Sequence, residues 1–449
     1  MGRYAALMAI EPDSALLTVK PKKRVALSKL PTWLVAVLCL LAGAAAAQPA
    51  VSLTQNVRFS GFGTIGVARI EAPEGWAYGR EASQPQNVNP NRADLDTRLG
   101  LQLNYAPSAR FELVGQAILT RRPASASNTS ALEWGFAAFR PSPDWTLRLG
   151  RVNLDAFTLS DHRNVGFSYP FARPPVEFYT QLASSLDGAD IERVWNRDGA
   201  HWRTKAFYGR SKIGYDDPSR SATFRDAVGW FISREADGLT LRLNLSQARV
   251  GIAPPAQARP LFDGLQGLSE LPLGDVAEQA SALLQRLSVD GVKHSYVSLG
   301  SQYDIGDWQL AGELMRVRGS PSSSFSAGYA SIARRFDAVT VYTVASRIAS
   351  STPAVVAPDW VAPLTPVIGP VAAQQAQFLG STAAASANTF RAQQDTLSLG
   401  ARVDLGAQMA LKVQWDRIRV APNGSVLWGN ASAQPARAHM TSVSLDFVF

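Results

Sequence analysis

The stretch Leu95-Asp96-Thr97-Arg98-Leu99-Gly100-Leu101-Gln102-Leu103-Asn104-Tyr105 alternates without a break. One set of positions carries Leu95, Thr97, Leu99, Leu101, Leu103 and Tyr105; the other carries Asp96, Arg98, Gly100, Gln102 and Asn104. Side chains of a strand point to opposite faces with period two, whereas a helix repeats about every 3.6 residues, so this segment is a strand with one apolar and one polar face. The pattern returns where Leu239, Leu241, Leu243 and Leu245 oppose Thr240, Arg242 and Asn244, and again from Leu397 to Leu405, opposed by Ser398, Gly400, Arg402 and Asp404.

Working outward, the chain breaks into about sixteen such segments: 57–70, 95–106, 110–122, 131–140, 145–154, 188–196, 200–212, 224–235, 239–250, 293–305, 308–318, 324–336, 338–350, 395–405, 409–420 and 439–449. Short turns at Pro107-Ser108, Pro141-Ser142-Pro143, Arg197-Asp198-Gly199, Ala236-Asp237-Gly238 and Gly306-Asp307 separate them on one side. Long loops at 71–94, 155–187, 213–223, 251–292, 351–394 and 421–438 separate them on the other. An even number of strands of about ten residues, with short turns at one end and long loops at the other, is the pattern of an all-β transmembrane antiparallel barrel. In hydrocarbon every backbone N–H and C=O needs a partner within the protein, so a strand-built span must close on itself. The apolar faces then meet lipid and the polar faces line a wet interior. Trp145, Trp202, Trp308, Tyr105, Phe111 and Phe447, near strand ends, suit the interfacial girdles.

Composition agrees. The 449 residues are 46% hydrophobic and 18% charged, with one Cys, and the mean hydropathy is −0.05. That excludes a disordered chain, a disulfide scaffold and a bundle of membrane helices. The one long apolar run, Trp33 to Ala47, follows Lys20, Lys22, Lys23, Arg24 and Lys29 and closes on four alanines, which is the layout of a secretory signal over residues 1–47, with an additional leader up to about Lys20. Cys39 sits inside this run, leaving a barrel segment, 48–449, without cysteine. The formal charge of +8 falls to +4 once the six basic and two acidic residues of the leader are removed. No clustered basic helix supports nucleic-acid binding.

A barrel of this size leaves an aqueous lumen, and rings of charge at its narrowest point sort solutes by sign. By alternation Arg98, Arg148, Arg203, Lys205, Arg242, Arg402 and Lys412 face inward, opposed by Asp96, Glu112, Asp304, Asp404, Asp416 and Asp446. The basic excess predicts a mild anion preference. Arg151 lies on the lipid phase, so either Gly150 marks a bulge that re-aims it or it reaches the headgroup zone.

The chain ends Ser442-Val443-Ser444-Leu445-Asp446-Phe447-Val448-Phe449. This last strand resembles the terminal signal by which outer-membrane barrels are recognised for assembly, carried here by Val443, Leu445, Phe447 and Phe449. Sixteen strands with both termini on the short-turn side resemble the general porins. The segment Arg148-Leu149-Gly150-Arg151, Ser160-Asp161, Asn164-Val165-Gly166, Arg173-Pro174-Pro175, Glu177, Tyr179 and Asp187-Gly188-Ala189-Asp190 is similar to a porin group of Gram-negative β-proteobacteria. The resemblance implies a water-filled channel for passive diffusion of small hydrophilic solutes and ions. It also implies a homotrimer in the outer membrane, with outer-membrane lipid, lipopolysaccharide and the barrel-assembly machinery as partners. It further implies that the third connection on the long-loop side, 155–187 after the fifth segment, enters the pore and brings Asp161, His162, Arg163, Arg173 and Glu177 to a constriction.

Other readings are a substrate-specific channel and a non-conducting structural or adhesin barrel. Enzyme chemistry finds no support: His162, His201, His294 and His439 stand in no nucleophile or metal motif, and no catalytic residue, metal or cofactor is expected. Two segments remain. Asp275 to Ser288 reads as a short helix with an Asp N-cap and Val276, Ala280, Leu283, Leu284 and Leu287 on one face, packed on the loop base. Ser351 to Phe390, rich in Ala and Pro, reads as an extended external loop.

Overall fold

The computed structural model describes residues 52–449 apart from 55, 82–83, 123–130, 180–182, 215–220, 253–257, 289, 390, 426–427 and 430–433. The secretory segment and its cleavage point lie outside the described residues. Sixteen long strands form one antiparallel sheet. They are β1 (Val57–Glu71), β2 (Arg98–Ser108), β3 (Phe111–Thr120), β4 (Leu132–Ser142), β5 (Trp145–Asn153), β6 (Ser185–Arg197), β7 (Ala200–Gly214) and β8 (Ser221–Ala236). Then follow β9 (Leu239–Ile252), β10 (Val292–Ile305), β11 (Trp308–Arg318), β12 (Phe325–Phe336), β13 (Val339–Ser350), β14 (Ala392–Asp404), β15 (Met409–Ser425) and β16 (Ala436–Val448). Each pairs with the next, and the short segments Ser52–Thr54 and Asn91–Arg92 add to β1. Among the described residues no helix is long and apolar enough to cross a membrane.

The sheet closes by pairing β1 with β16, from Phe62 opposite Val448 to Glu71 opposite His439. Phe449 adds two backbone hydrogen bonds to Gly61, at 2.8 and 2.9 Å. Its ring and that of Phe447 lie across β1 over Gly61 and Gly63, where a Cβ would sit 2.2 and 2.4 Å from ring carbons. Glycine at these two positions lets the aromatic seam close.

The outward face is apolar and exposed in the isolated chain, with Leu149 69% and Leu314 66% accessible and many Leu, Val and aromatic residues beside them. So broad an exposed apolar belt marks a surface made for lipid. At the short-turn end Arg193 stacks on Trp145 and Trp195, Arg234 on Trp202, and Arg334 on Trp308 and Phe336, all within 6.0 Å of the ring centre.

The strand boundaries depart from the expected ones by a few residues. Asp198-Gly199 and Asp237-Gly238 each have two successive positive φ angles, the geometry of a two-residue hairpin turn matched to strand twist. Pro107-Ser108 and Pro141-Ser142, expected as turns, lie inside β2 and β4; proline cannot donate to the ladder, and the pairing register shifts there. Leu95 and Asp96 precede β2, and Leu95 is buried with Trp76, Tyr78, Val176 and Trp428 under the first and last long loops. No bulge occurs at Gly150: β5 pairs in continuous register with β6, and with β4 from Leu147 to Arg151. Arg151 therefore stays outward near the long-loop end, bonded to Asp187 at 2.7 Å.

The largest difference is helical. Four helices, α2 (Arg259–Glu270), α3 (Asp275–Leu287), α4 (Val361–Ile368) and α5 (Pro370–Asn388), gather around fully buried Trp360 and Leu364 in a cap built from two long loops. Val276, Ala280, Leu283 and Leu287 face this cap rather than the loop base. The residue before α3 is Gly274, so Asp275 opens the helix instead of capping it. The stretch expected to be extended is mostly helical, as α4 and α5; in α5 alanine has the highest helix propensity and Pro370 a favourable first position.

Candidate functional site

After β5 the chain turns into the barrel, described over residues 154–179 and 183–184, and returns as β6; the short helix α1 (Val176–Tyr179) lies within this loop. Inside the lumen the loop makes two different kinds of contact.

Against β9 to β16 it is pinned at every strand. Asp155 accepts from Arg242 of β9 at 2.5 Å, and its other oxygen lies 3.1 Å from Arg203 and 3.3 Å from Lys205. The Ala156 carbonyl accepts from Tyr296 of β10, and the Thr158 amide donates to Glu313 of β11 at 2.9 Å. Tyr179 donates to Glu313, which also accepts from Tyr329 of β12 at 2.8 Å. Glu177, fully buried, accepts from Ser346 of β13 and from Gln394 and Thr396 of β14. Lys412 of β15 donates to the carbonyls of Gly166 and Phe171 at 2.6 and 2.7 Å and pairs with Asp446 of β16 at 3.0 Å. Arg402 donates to Phe167 and Tyr169 carbonyls and pairs with Asp404 at 2.7 Å. Phe157, Tyr169, Phe171, Phe178 and Tyr179 fill the space between, against Tyr296, Met315, Tyr329, Tyr342 and Val344 of the inner wall.

Arg173 is another buried anchor. It bonds Asp96 at 2.6 Å, Asp416 of β15 at 3.1 Å and Ser442 of β16 at 2.6 Å, and Arg80 of the first long loop joins Asp96 at 3.0 Å. Burial alone would raise the Asp96 carboxyl, but Arg173 and Arg80 overcome it and hold it at about 2. Burial likewise opposes ionisation of Asp155, and Arg242, Lys205 and Arg203 hold it well below the carboxylate range.

Against β2 to β7, apart from the Asp155 contacts to Arg203 and Lys205 of β7, the loop presents its edge. Asp161 bonds Asn153 at 2.6 Å and Arg203 at 2.9 Å; Asn164 accepts from Arg98 of β2 at 3.3 Å. Burial lowers the His162 pKa, with Asp161 and Asp155 opposing it, so the ring is neutral at pH 7. Facing this edge are half-buried polar side chains: Gln102, Glu112, Arg140, Arg148 and Arg203. Arg148 pairs with Asp190 at 2.8 Å and Glu192 at 3.1 Å, and Arg140 with Glu112 at 2.5 Å. Among the described residues Arg98 and Arg163 have no carboxylate partner.

The inward alternation therefore divides into two sets. Arg148, Arg203, Glu112, Asp161, His162 and Arg163 border the uncovered part of the lumen, whereas Arg98, expected beside water, is buried against Asn164 of the loop. Asp304 lies at the short-turn mouth, bonded to Gln302 and Gln309. Lys205, Arg242, Lys412, Asp96, Asp416, Asp446, Arg173 and Glu177, expected beside water, are instead buried against the loop, and Arg402 and Asp404 are largely covered. A charged side chain in a crowded lumen loses less on desolvation when an opposite charge or carbonyl meets it, and the loop supplies both. Asp155, Asp190, Glu192 and Glu313 were not anticipated. Parity would have found three of them, since Ile191 and Leu314 beside them are outward; Asp155 lies beyond the last residue of β5 and carries no such signal. Among the described residues no group of three His, Cys, Asp or Glu side chains is placed to hold a metal.

No family model and no curated protein matches this sequence. Solved structures do. An anion-selective porin from Comamonas acidovorans aligns at a TM-score of 0.48 and 10% identity over 87% of this chain and 100% of its own. OmpF of Salmonella typhi aligns at 0.49 and 11% over 88% and 98%. The outer-membrane channel DcaP of Acinetobacter baumannii aligns at 0.50 and 9% over 89% and 100%. At these identities the likeness speaks for the fold alone: a closed 16-stranded antiparallel barrel of the outer-membrane porin type.

Proposed function

We propose that this chain is an outer-membrane porin, a channel for passive diffusion of small hydrophilic solutes and ions, with a weak anion preference and no enzymatic activity. The observation that carries the reading is the asymmetric lumen: the inward loop is pinned along β9 to β16 and leaves a polar, partly accessible wall on β2 to β7. The anion preference rests on Arg163, half-buried at the loop edge and without a carboxylate partner among the described residues, whereas Arg148, Arg203 and Arg140 are largely neutralised; the preference is therefore weak. A homotrimer, contact with lipopolysaccharide, kinship with the β-proteobacterial group and recognition of Val443, Leu445, Phe447 and Phe449 by the assembly machinery belong to the same reading.

Purified protein in a planar bilayer tests it. Stepwise conductance with a reversal potential of anion sign under a KCl gradient is expected. Clear cation selectivity overturns the preference; no conductance overturns the channel and leaves a structural or adhesin barrel; saturable block by one solute identifies a substrate-specific channel.

A further inference from the structure

Tyr78 stands in the first long loop, where Ala77–Tyr78 pairs with Trp428–Gly429 of the last one and the Arg92 guanidinium donates to the Tyr78 carbonyl at 2.7 Å. The side chain is 1% exposed, and its hydroxyl meets no partner among the described residues. With Glu177, Ser346, Thr396, Ser398 and Asp416 it lines a cavity of about 20 Å³ between the first long loop, the inward loop and the inner wall of β13 to β15. A space of that size admits a single water-sized particle, and a dehydrated potassium ion is close to water in radius.

The oxygens around the cavity suit a cation. Ser346 and Thr396 donate their hydroxyl protons to Glu177, so toward other neighbours their oxygens offer only lone pairs. Arg173 also lines the space, but its Nε, Nη1 and Nη2 are bonded to Asp96, Asp416, Ser442 and the Met440 sulfur. Charge points the same way. Asp96 and Asp416 share the two guanidiniums of Arg80 and Arg173. Glu177 is a further carboxylate in the cluster; it is fully buried, accepts from Ser346, Gln394 and Thr396, and meets no cation among the described residues. Burial pushes the Tyr78 phenol up, Arg173 opposes this, and Glu177, Asp416 and Asp96 reinforce it. A buried carboxylate is costly without a counter-charge.

We propose that this cavity holds one dehydrated, potassium-sized monovalent cation, which balances Glu177 and takes its ligands from the carboxylates of Glu177 and Asp416 and the hydroxyl oxygens of Tyr78, Ser346 and Thr396. The uncompensated charge is that of one carboxylate, which a monovalent ion neutralises and a divalent ion would exceed. Protein oxygens replace the hydration shell of such an ion. The ion joins three segments distant in sequence, and so fastens the inward loop both to the wall and to the first long loop. The site concerns how the loop is held and stands independently of conduction.

Rubidium, a potassium substitute that scatters anomalously, is the probe. Crystals of the full chain in RbCl should show one anomalous peak between Tyr78 and Glu177, absent from crystals of Glu177→Gln. In detergent, thermal unfolding of the full chain should shift upward in KCl or RbCl relative to choline chloride at equal ionic strength, because an ion bound by the folded state alone stabilises it. Glu177→Gln should weaken the apparent affinity by about tenfold or more, through loss of the close counter-charge. Tyr78→Phe removes one oxygen and keeps the charge; it should reduce the response more mildly, and it serves if Glu177→Gln does not fold. Glu235→Gln, exposed at the short-turn end, should respond as the parent. A water without anomalous signal in the cavity, equal unfolding midpoints in potassium and choline salts, or a potassium response that survives both Glu177→Gln and Tyr78→Phe overturns the proposal. Conductance is read separately: a non-conducting barrel that retains the ion breaks the channel reading alone.

Discussion

The two halves of the inner wall are built from the same alternation and behave differently. On β9 to β16 the inward positions carry Arg242, Tyr296, Glu313, Tyr329, Tyr342, Lys412, Asp416 and Asp446, and nearly all are sealed beneath the loop. On β2 to β7 Gln102, Glu112, Arg140, Arg148 and Arg203 keep some access to water beside the buried Arg98, Gln116, Asp190 and Lys205. Aromatic hydroxyls and buried ion pairs attract a loop because each gains a partner there; short polar residues and self-paired arginines offer it nothing further. The passage therefore follows from where the loop finds its partners as much as from the size of the barrel.

Deleting Asp161 to Glu177 breaks the contrast outright. It removes Arg173 and Glu177 together, and single-channel conductance should rise several-fold; unchanged conductance would count against a constricting loop. Arg173→Ala tests the pinned side alone. It leaves Asp96 and Asp416 buried without their shared cation, and a loss of about 3–5 kcal/mol in unfolding free energy is expected. Arg140→Ala is the matched change on the open side. Its partner Glu112 keeps Asn104 at 2.7 Å, and a screened pair of this kind contributes about 1 kcal/mol or less. Equal losses in the two variants would erase the distinction.

Acidity separates the halves more gently. The Asp96 carboxyl lies at about 2 against an ordinary 3.8, so its contribution is complete above pH 4 and lost as the pH falls through 2. The shift corresponds to about 2 kcal/mol. Conductance should stay level from pH 7 to 4 and increase only near pH 2 as the loop loosens; a rise already at pH 5 would point to another group. The smallest effect is on selectivity. Arg163→Glu should move the reversal potential toward cations by a modest amount, and Lys412→Gln, buried at the loop base, should move it less.

Much of this was legible in the chain. All sixteen strands were, because a lipid-facing strand needs an apolar residue at every second position and that period survives in Leu99, Leu101 and Leu103 or in Val443, Leu445 and Phe447. The helical cap was legible only in α3. Its Ala-rich α5 has no strong amphipathic stripe, and Gly380 faces Trp360 so closely that a Cβ would sit 2.8 Å from the ring. That contact is set by a residue 20 positions away in sequence. Glu313 and Asp190 were readable by parity; Asp155 was not, because it becomes an anchor only when Arg242, Lys205 and Arg203 converge from two other strands.

The sequence by itself determined the architecture: strand count, the two faces, closure and the side on which the long loops lie. These follow from local periodicity and from the rule that backbone polar groups in hydrocarbon must be paired. Only the tertiary structure decided which inward charges meet water. A charge on the lumenal phase can be solvated, self-paired or buried under a loop, and the choice depends on partners tens or hundreds of residues distant, as Arg173 with Asp96, Asp416 and Ser442 demonstrates.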